Sequence, residues 1–187
     1  MQRARAKRQW RIRRVDNKEG RLSATETSGH LPPLGVDQRK EVGAQLQAML
    51  VELVDLSLLG KQLHWTVVGP LFRPLHLQLD ELVDLWRELG DTVAERAVTI
   101  GFIPDGQGAA VAAGSPLRRV ERGELADNLV VRELTARLAE VAERARDRMQ
   151  RLGELDAATQ DVMIEVLRVL EEQLWMIRAQ FGDLREN

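Results

Sequence analysis

Apolar residues recur at helical spacing in four long stretches of the chain, with polar residues between them. No stretch alternates polar and apolar residues as a half-buried strand does, so the pattern predicts an all-α protein. The predicted helices run from near Asp37 to Gly69-Pro70, from near Phe72–Pro74 to Gly101, from near Asp127 to Gly153, and from about Asp156–Thr159 to Gly182.

The lengths of the connections predict how these helices are arranged. Only a few residues join the first helix to the second and the third to the fourth, which makes each pair antiparallel neighbours. Residues 102–126 join the two pairs and are long enough to run back along one of them. An up-down pair, a long crossover and a second pair describe a ferritin-like four-helix bundle. We expect a short helix over Leu117–Leu125 within the crossover.

Charge divides the 187-residue chain into a basic beginning and an acidic remainder. Residues 1–21 hold nine Lys or Arg against two acidic residues, a net charge of +7, whereas the rest holds 18 basic and 27 acidic residues, a net charge of −9. Between this basic segment and the first predicted helix, Pro32 and Pro33 exclude a continuous helix. We therefore expect a flexible basic arm over 1–36, the bundle over 37–182 and a short tail over 183–187.

Composition excludes several classes of protein. The chain has no Cys, which excludes a disulfide scaffold and any thiolate metal site. No apolar run approaches the roughly 18 residues of a membrane span, and no apolar stretch follows the N-terminal charges as in a secretory signal. The sequence therefore predicts a cytoplasmic protein without a membrane partner.

Histidine and carboxylate residues cluster on one face of the second predicted helix. His76 and Asp80 are four residues apart, as are Asp91 and Glu95, and a helix places all four within about 100° of arc. His64 ends the first helix, which the short connection brings alongside the start of the second. Either pair alone is more often a solvated helix face. Together the five residues predict a metal site, and nitrogen and carboxylate ligands without thiolate suit iron, manganese or zinc.

The length of the helix limits what these residues can bind within one chain. Asp80 and Asp91 lie about 16 Å apart along the helix axis, so one ion cannot contact both. A second copy packed antiparallel, about a two-fold axis near Leu85–Trp86, sets the His76 end of one chain against the Asp91 end of the other. Such an interface contains two equivalent sites. The chain has no Glu-x-x-His pair of the kind an intrasubunit di-iron bundle uses, so the spacing favours metal held between subunits.

At these residues the sequence resembles the Dps family (DNA-binding protein from starved cells), the miniferritins. The resemblance rests on the string His-x11-His-x3-Asp-x10-Asp-x3-Glu from His64 to Glu95, and it covers most of residues 37–182. The remaining matching segments are Gly69-Pro70, Ala94-Glu95-Arg96, Gly101 to Gly106, and Asp156 to Ala179 with Trp175-Met176.

The resemblance implies a hollow dodecamer that oxidises Fe(II), preferably with hydrogen peroxide, and stores ferric mineral inside. It implies iron sites, with zinc as an alternative occupant, whose ligands come from two subunits: His64, His76 and Asp80 from one, and Asp91 and Glu95 from its two-fold mate. It also implies that Trp65 lies beside the ferroxidase centre and quenches radicals. The alternative for Trp65 is ordinary core or interface packing.

Acidic residues at the start of the fourth helix match the positions that line three-fold ion pores in this family. The matching residues are Asp156, Asp161 and Glu165. Acids at such positions attract cations by focusing negative potential. The alternative is helix capping by Asp156 and interaction of Asp161 with the helix dipole, which is compatible with a pore.

The basic arm offers a separate route to a partner. Its first cations are Arg3, Arg5, Lys7, Arg8, Arg11, Arg13 and Arg14. Clustered cations favour non-specific, salt-sensitive binding to DNA, because each phosphate contact releases counterions. The alternative is that the arm docks on the acidic bundle and stabilises the assembly.

Three functions compete on the sequence. An iron-storage and detoxification protein that protects DNA from oxidative damage explains the five spaced ligands. A nucleoid-compacting, DNA-binding structural protein with little ferroxidase activity explains the arm, and it would be nucleoid-associated. A plain helical bundle that mediates protein contacts leaves the ligand spacing unexplained. The intact string of ligands favours the first.

Overall fold

The computed structural model describes residues 31–181, which contain four long helices, one short helix and two short strands. The elements are α1 Val36–Thr66, β1 Val67–Val68, α2 Phe72–Thr99, α3 Gly108–Gly114, β2 Leu125–Ala126, α4 Asp127–Leu155 and α5 Ala157–Phe181. Helix α1 packs along α2 and α4 along α5, while α1 also contacts α4 and α2 contacts α5. The predicted four-helix bundle with a long crossover is therefore confirmed. The predicted arm cations and the C-terminal tail lie outside the described residues.

The interior of the bundle is filled by the apolar stripes that the helical spacing predicts. Its largest fully buried side chains are Trp86, Leu46, Met49, Leu53, Leu56, Leu63, Leu75, Leu79, Ile100, Leu134, Leu138 and Leu152. Burying one such side chain contributes about 1.5–3 kcal/mol. Helix α1 is apolar and long enough to cross a membrane, but 61% of its most apolar window is buried inside the bundle, as expected of a core helix.

Of the glycines predicted to end helices, Gly101 and Gly153 behave differently. Gly101 has a φ of +81° and its N–H donates to the carbonyl of Val98 at 2.9 Å, so it caps α2 as predicted. Helix α4 instead continues through Gly153 and ends at Leu155, so that predicted end is wrong. Gly153 lacks a positive φ, and its missing side chain leaves room for the amide of Gln160.

Two short strands were not predicted from the sequence. β1 pairs with β2 in parallel, with Val67 opposite Leu125 and Val68 opposite Ala126. Two residues per strand are too few to produce a visible alternation of polar and apolar positions. The pair fixes the end of the crossover beside the turn between α1 and α2.

The crossover contains a short helix as predicted, but this helix is α3 at Gly108–Gly114, so its predicted position at Leu117–Leu125 is wrong. Carbonyl oxygens of that segment accept hydrogen bonds from a side chain instead of from backbone N–H groups of a helix. The buried guanidinium of Arg137 donates to the carbonyl oxygens of Arg118 and Arg119 at 2.8 and 3.2 Å. Helix α3 lies against α1 and buries Val111.

Candidate metal centre

The tight turn between α1 and α2 brings two histidines together. α1 ends at Thr66, and Gly69 reverses the chain with a φ of +128°, where Asp127 approaches too closely for a side chain at this position. The rings of His64 and His76 stack with centroids 3.6 Å apart and planes 20° apart. The turn therefore positions the two predicted nitrogen ligands side by side.

Reciprocal hydrogen bonds determine which ring nitrogen of each histidine is free. Nδ1 of His64 lies 2.8 Å from the carbonyl oxygen of His76, and Nδ1 of His76 lies 3.0 Å from the carbonyl oxygen of His64. A carbonyl oxygen only accepts, so each Nδ1 carries the proton. In the neutral ring Nε2 keeps its lone pair, which is the state that binds a metal ion.

Asp80 lies one helical turn after His76 on α2, and its carboxylate contacts His64. Its Oδ1 lies 3.2 Å from Nδ1 of His64 and 2.6 Å from Nζ of Lys61 on α1. The hydrogen bond from Lys61 holds the pKa of Asp80 below its ordinary value, despite some desolvation, and the positive charge of Lys61 acts in the same direction. Asp80 is therefore an ionised carboxylate whose charge is balanced by an ammonium group.

Asp91 and Glu95 lie further along α2, with exposed side chains. Within residues 31–181, no three His, Asp or Glu side chains of one chain are placed to hold a metal ion, although His64 contacts both His76 and Asp80. The single chain thus presents two separate groups of candidate ligands on α1 and α2.

The surface next to Asp91 is apolar. A groove of about 360 Å³ there is lined by Leu50, Val54, Leu58, Trp86, Asp91, Ala94 and Pro104, among others. Leu58 of this groove is 56% exposed, and Ile103, next to its Pro104, is 80% exposed; Leu85, 40% exposed, lines a different groove with Leu71 and Met176. Trp86, which the sequence places near a two-fold axis together with Leu85, is fully buried, and its indole donates to Oε1 of Gln173 at 2.7 Å. Of that pair, only Leu85 is available to a partner.

Trp65 follows His64 and is 68% exposed, with Nζ of Lys61 6.0 Å from the centroid of its ring. Packing in the core of the chain is therefore not its role. An exposed position beside His64 is compatible both with a place near the predicted centre and with an interface contact.

The three predicted pore acids differ in their surroundings. Burial opposes ionisation of Asp156, but hydrogen bonds from Thr159 and Arg96 outweigh it and lower its pKa; the Arg96 Nη2 to Asp156 Oδ2 distance is 2.7 Å. Asp161 and Glu165 are exposed on α5. The backbone carbonyl of Asp156 accepts from the amides of Thr159 and Gln160, so this residue organises the turn into α5.

The contacts of two residues at these sites were not predicted from the sequence. Lys61 lies three residues before His64 and Arg96 directly follows Glu95. A cation at such a spacing is common on helix surfaces, so the signal was too weak to separate them from solvated side chains.

Comparison with known proteins gives consistent matches. The ferritin family, described as a ferritin-like domain, matches residues 43–187. The DNA protection during starvation protein of Mycolicibacterium smegmatis is 34% identical over 155 residues, which are 82% of this chain and 84% of that protein. The DNA protection during starvation protein 2 of Deinococcus radiodurans is 32% identical over 80% of this chain, and the match spans only 62% of that relative. The solved structure of Mycobacterium smegmatis Dps in its tetragonal form superposes with a TM-score of 0.78 at 32% identity, covering 83% of this chain and 94% of that one.

Proposed function

Since this chain belongs to the Dps family of ferritin-like proteins, we propose that it oxidises Fe(II) at sites shared between subunits and stores the ferric product inside a closed oligomer. Hydrogen peroxide is the proposed oxidant, and twelve is the proposed number of subunits. Two Fe(II) ions each give one electron to one peroxide, whose O–O bond breaks, and two protons complete two water molecules. Removing both reagents in the cytoplasm would protect DNA from the radicals they generate together.

The observation that carries this proposal is the reciprocal pair of hydrogen bonds between His64 and His76. Both Nδ1–H groups are used by carbonyl oxygens, and both Nε2 atoms are left as ligands. With the ionised Asp80 beside His64, these residues are proposed to supply two nitrogen donors and one oxygen donor. Such a donor set suits Fe(II), and it leaves positions for further ligands and the oxidant.

The remaining ligands are proposed to come from Asp91 and Glu95 of a two-fold related subunit. Their side chains are exposed, and about 16 Å of helix separates Asp91 from Asp80 of the same chain. The exposed apolar groove beside Asp91 supports a protein contact there, because contiguous apolar surface commonly marks an interface.

Lys61 is proposed to balance the charge of Asp80 before iron binds. In the structure its ammonium contacts the carboxylate oxygen that would bind the metal ion. An arriving Fe(II) must displace it, so Lys61 sets the affinity of the site without reacting. Trp65, exposed beside the centre, is the proposed acceptor of a stray oxidising equivalent.

Asp161 and Glu165 are proposed to line the route by which Fe(II) enters. Exposed carboxylates concentrate cations near a pore by their negative potential. Asp156 contributes less to such a potential, because Arg96 neutralises it.

DNA binding is a second proposed function, and the +7 charge of residues 1–21 favours it. The relatives carry names that refer to DNA protection. A nucleoid-compacting role with little iron oxidation is the alternative to iron storage, and the two roles can coexist.

Replacing His76 and Asp80 together by Ala tests the iron proposal. We expect fast peroxide-dependent Fe(II) oxidation, followed by absorbance in a stopped flow, to fall to the uncatalysed rate, while the oligomer keeps its mass in light scattering. Asp84→Ala is the matched control, because Asp84 is an exposed acid on the same helix outside the proposed centre. Unchanged kinetics in the double variant would rule out the assigned site.

A further inference from the structure

The C-terminal half of α4 carries a row of arginines that the iron chemistry does not use. Arg144, Arg148 and Arg151 lie at helical spacing on one face. With Gln45 of α1 and Asp147 they line a polar groove of about 390 Å³ between α1 and α4. Three guanidinium groups at one groove form a typical environment for an oxyanion.

A buried carboxylate holds two of these arginines in place. Glu52 of α1 is 1% exposed; it accepts a hydrogen bond from Nε of Arg144 at 2.8 Å and another from Nη2 of Arg148. Nη2 of Arg144 is buried and has no hydrogen-bond partner within residues 31–181. Fixing a guanidinium in advance lowers the entropy cost of binding an anion.

The groove keeps an excess of positive charge. Glu52 and Asp147 offset two of the three arginines, which leaves a net charge of +1. Arg151 is exposed and forms no salt bridge in the part of the chain that the structure describes. Arg151 is thus the arginine with the most donors available to a ligand.

We propose that this groove binds phosphate groups of a nucleic-acid backbone. From Arg144 to Arg151 the helix rises about 10 Å, over which one strand of a duplex presents about three phosphates. The +7 charge of residues 1–21 supports this partner. Gln38 at the start of α1 donates to the carbonyl oxygen of Leu155 at the end of α4, so the first described residues lie at the Arg151 end of this helix pair. The groove is a second contact besides the arm, and it does not depend on the proposed iron chemistry.

The test compares single-charge variants of the full-length oligomer binding a labelled 25-base-pair duplex by fluorescence anisotropy. Arg151→Gln removes a groove cation, whereas Arg132→Gln removes an exposed cation from the other end of the same helix, about 28 Å away. We expect Arg151→Gln to weaken binding several-fold and to reduce the slope of log K against log salt by about 0.9 for each phosphate that the variant no longer neutralises. Arg132→Gln should change both much less. Asp147→Asn should act in the opposite direction and tighten binding.

Equal affinities and salt slopes for the two Arg→Gln variants overturn the groove assignment, as does weaker binding by Asp147→Asn. Titration with inorganic phosphate at constant ionic strength, followed by phosphorus NMR, distinguishes a free anion from a backbone. Phosphate binding that Arg151→Gln abolishes, with DNA affinity unaffected, overturns the nucleic-acid partner and leaves a small-anion site. Circular dichroism and light scattering of each variant exclude a loss of folding or assembly as the cause.

Discussion

Lys61 and Asp80 form the closest charged contact at the proposed iron centre, with Nζ 2.6 Å from Oδ1. This pair has two consequences at the scale of single residues. The carboxylate stays ionised, because its pKa is lowered chiefly by the hydrogen bond from Lys61. The same ammonium repels a divalent cation. Lys61 therefore keeps Asp80 ionised for metal binding but lowers the affinity of the site for the metal ion.

Replacing Lys61 by Met is expected to strengthen divalent metal binding. The metal ion carries two positive charges and Lys61 one, so at about 4 Å their repulsion is worth about 2 kcal/mol in water, which corresponds to roughly a thirtyfold gain in affinity. Isothermal titration with Zn²⁺, which avoids oxidation, measures this directly. Lys40→Met is the control, because Lys40 is an exposed lysine at the far end of α1. Weaker binding by Lys61→Met would instead show that Lys61 organises the site.

Among single residues, the sequence predicts those whose positions follow from helical spacing alone. The placement of His76 and Asp80 on one face of α2 needs only the 3.6-residue repeat, and the short turn brings His64 beside them. The contact of Lys61 with Asp80 depends on how α1 is rotated against α2 and on a side-chain rotamer. Neither is encoded in a local pattern.

The turn between α4 and α5 is held by an ion pair that reaches across to α2. Arg96 donates to Oδ2 of Asp156 at 2.7 Å and to Oγ1 of Thr159 at 2.9 Å. Both charged side chains are less than 20% exposed, so screening by solvent is reduced. This contact fixes the end of one helix pair against the other.

Asp156→Asn is expected to lower the free energy of unfolding by about 1–3 kcal/mol at pH 7. Because the pKa of Asp156 is lowered in the folded state, its contribution is present above its ordinary pKa of 3.8 and is lost as pH falls through the lowered value. The difference from the wild type should therefore shrink below about pH 4. Urea unfolding at fixed protein concentration measures it.

Asp161→Asn serves as the control, since Asp161 is exposed on α5 and should change stability by less than about 0.5 kcal/mol. Equal unfolding free energies for wild type and Asp156→Asn at pH 7 would contradict a stabilising ion pair.

At the scale of elements, all four long helices follow from apolar periodicity, and most predicted ends lie within a few residues of the observed ones. The errors occur where tertiary contacts override local signals. Gly153 stays helical because Gln160 packs against it, and the segment at Arg118 and Arg119 is not helical because Arg137 takes its carbonyl groups. A strand pair of two residues each leaves no periodicity to detect.

For the whole molecule, the division of charge between arm and bundle leads to a prediction about DNA. Deleting residues 1–21 removes a net charge of +7. We expect gel-shift affinity at low salt to fall and the salt slope to become shallower, by about 0.9 for each phosphate that the arm had neutralised. A variant with the same arm residues in scrambled order should bind like the wild type, because backbone contacts do not depend on sequence order. Undiminished binding after the deletion would favour an arm that docks on the acidic bundle.

The sequence predicts only part of the oligomeric assembly. Spacing on α2 separates Asp91 from Asp80 and thereby indicates a partner, and the apolar groove beside Asp91 indicates where it would sit. The number of subunits depends on angles between interfaces that no periodicity in one chain records.

Mixed oligomers test the sharing of ligands between subunits most directly. One subunit carries His76→Ala and Asp80→Ala, the other carries Asp91→Ala and Glu95→Ala, and the two are co-expressed with different tags. Each variant alone should be inactive in fast Fe(II) oxidation. In a mixed two-fold pair, one site carries both sets of substitutions and the other site carries none. Random pairing makes about half of the pairs mixed, so about one quarter of all sites, and of the wild-type rate, should be restored. Mixed oligomers that contain both tags and show no recovery would contradict an iron site built from two subunits.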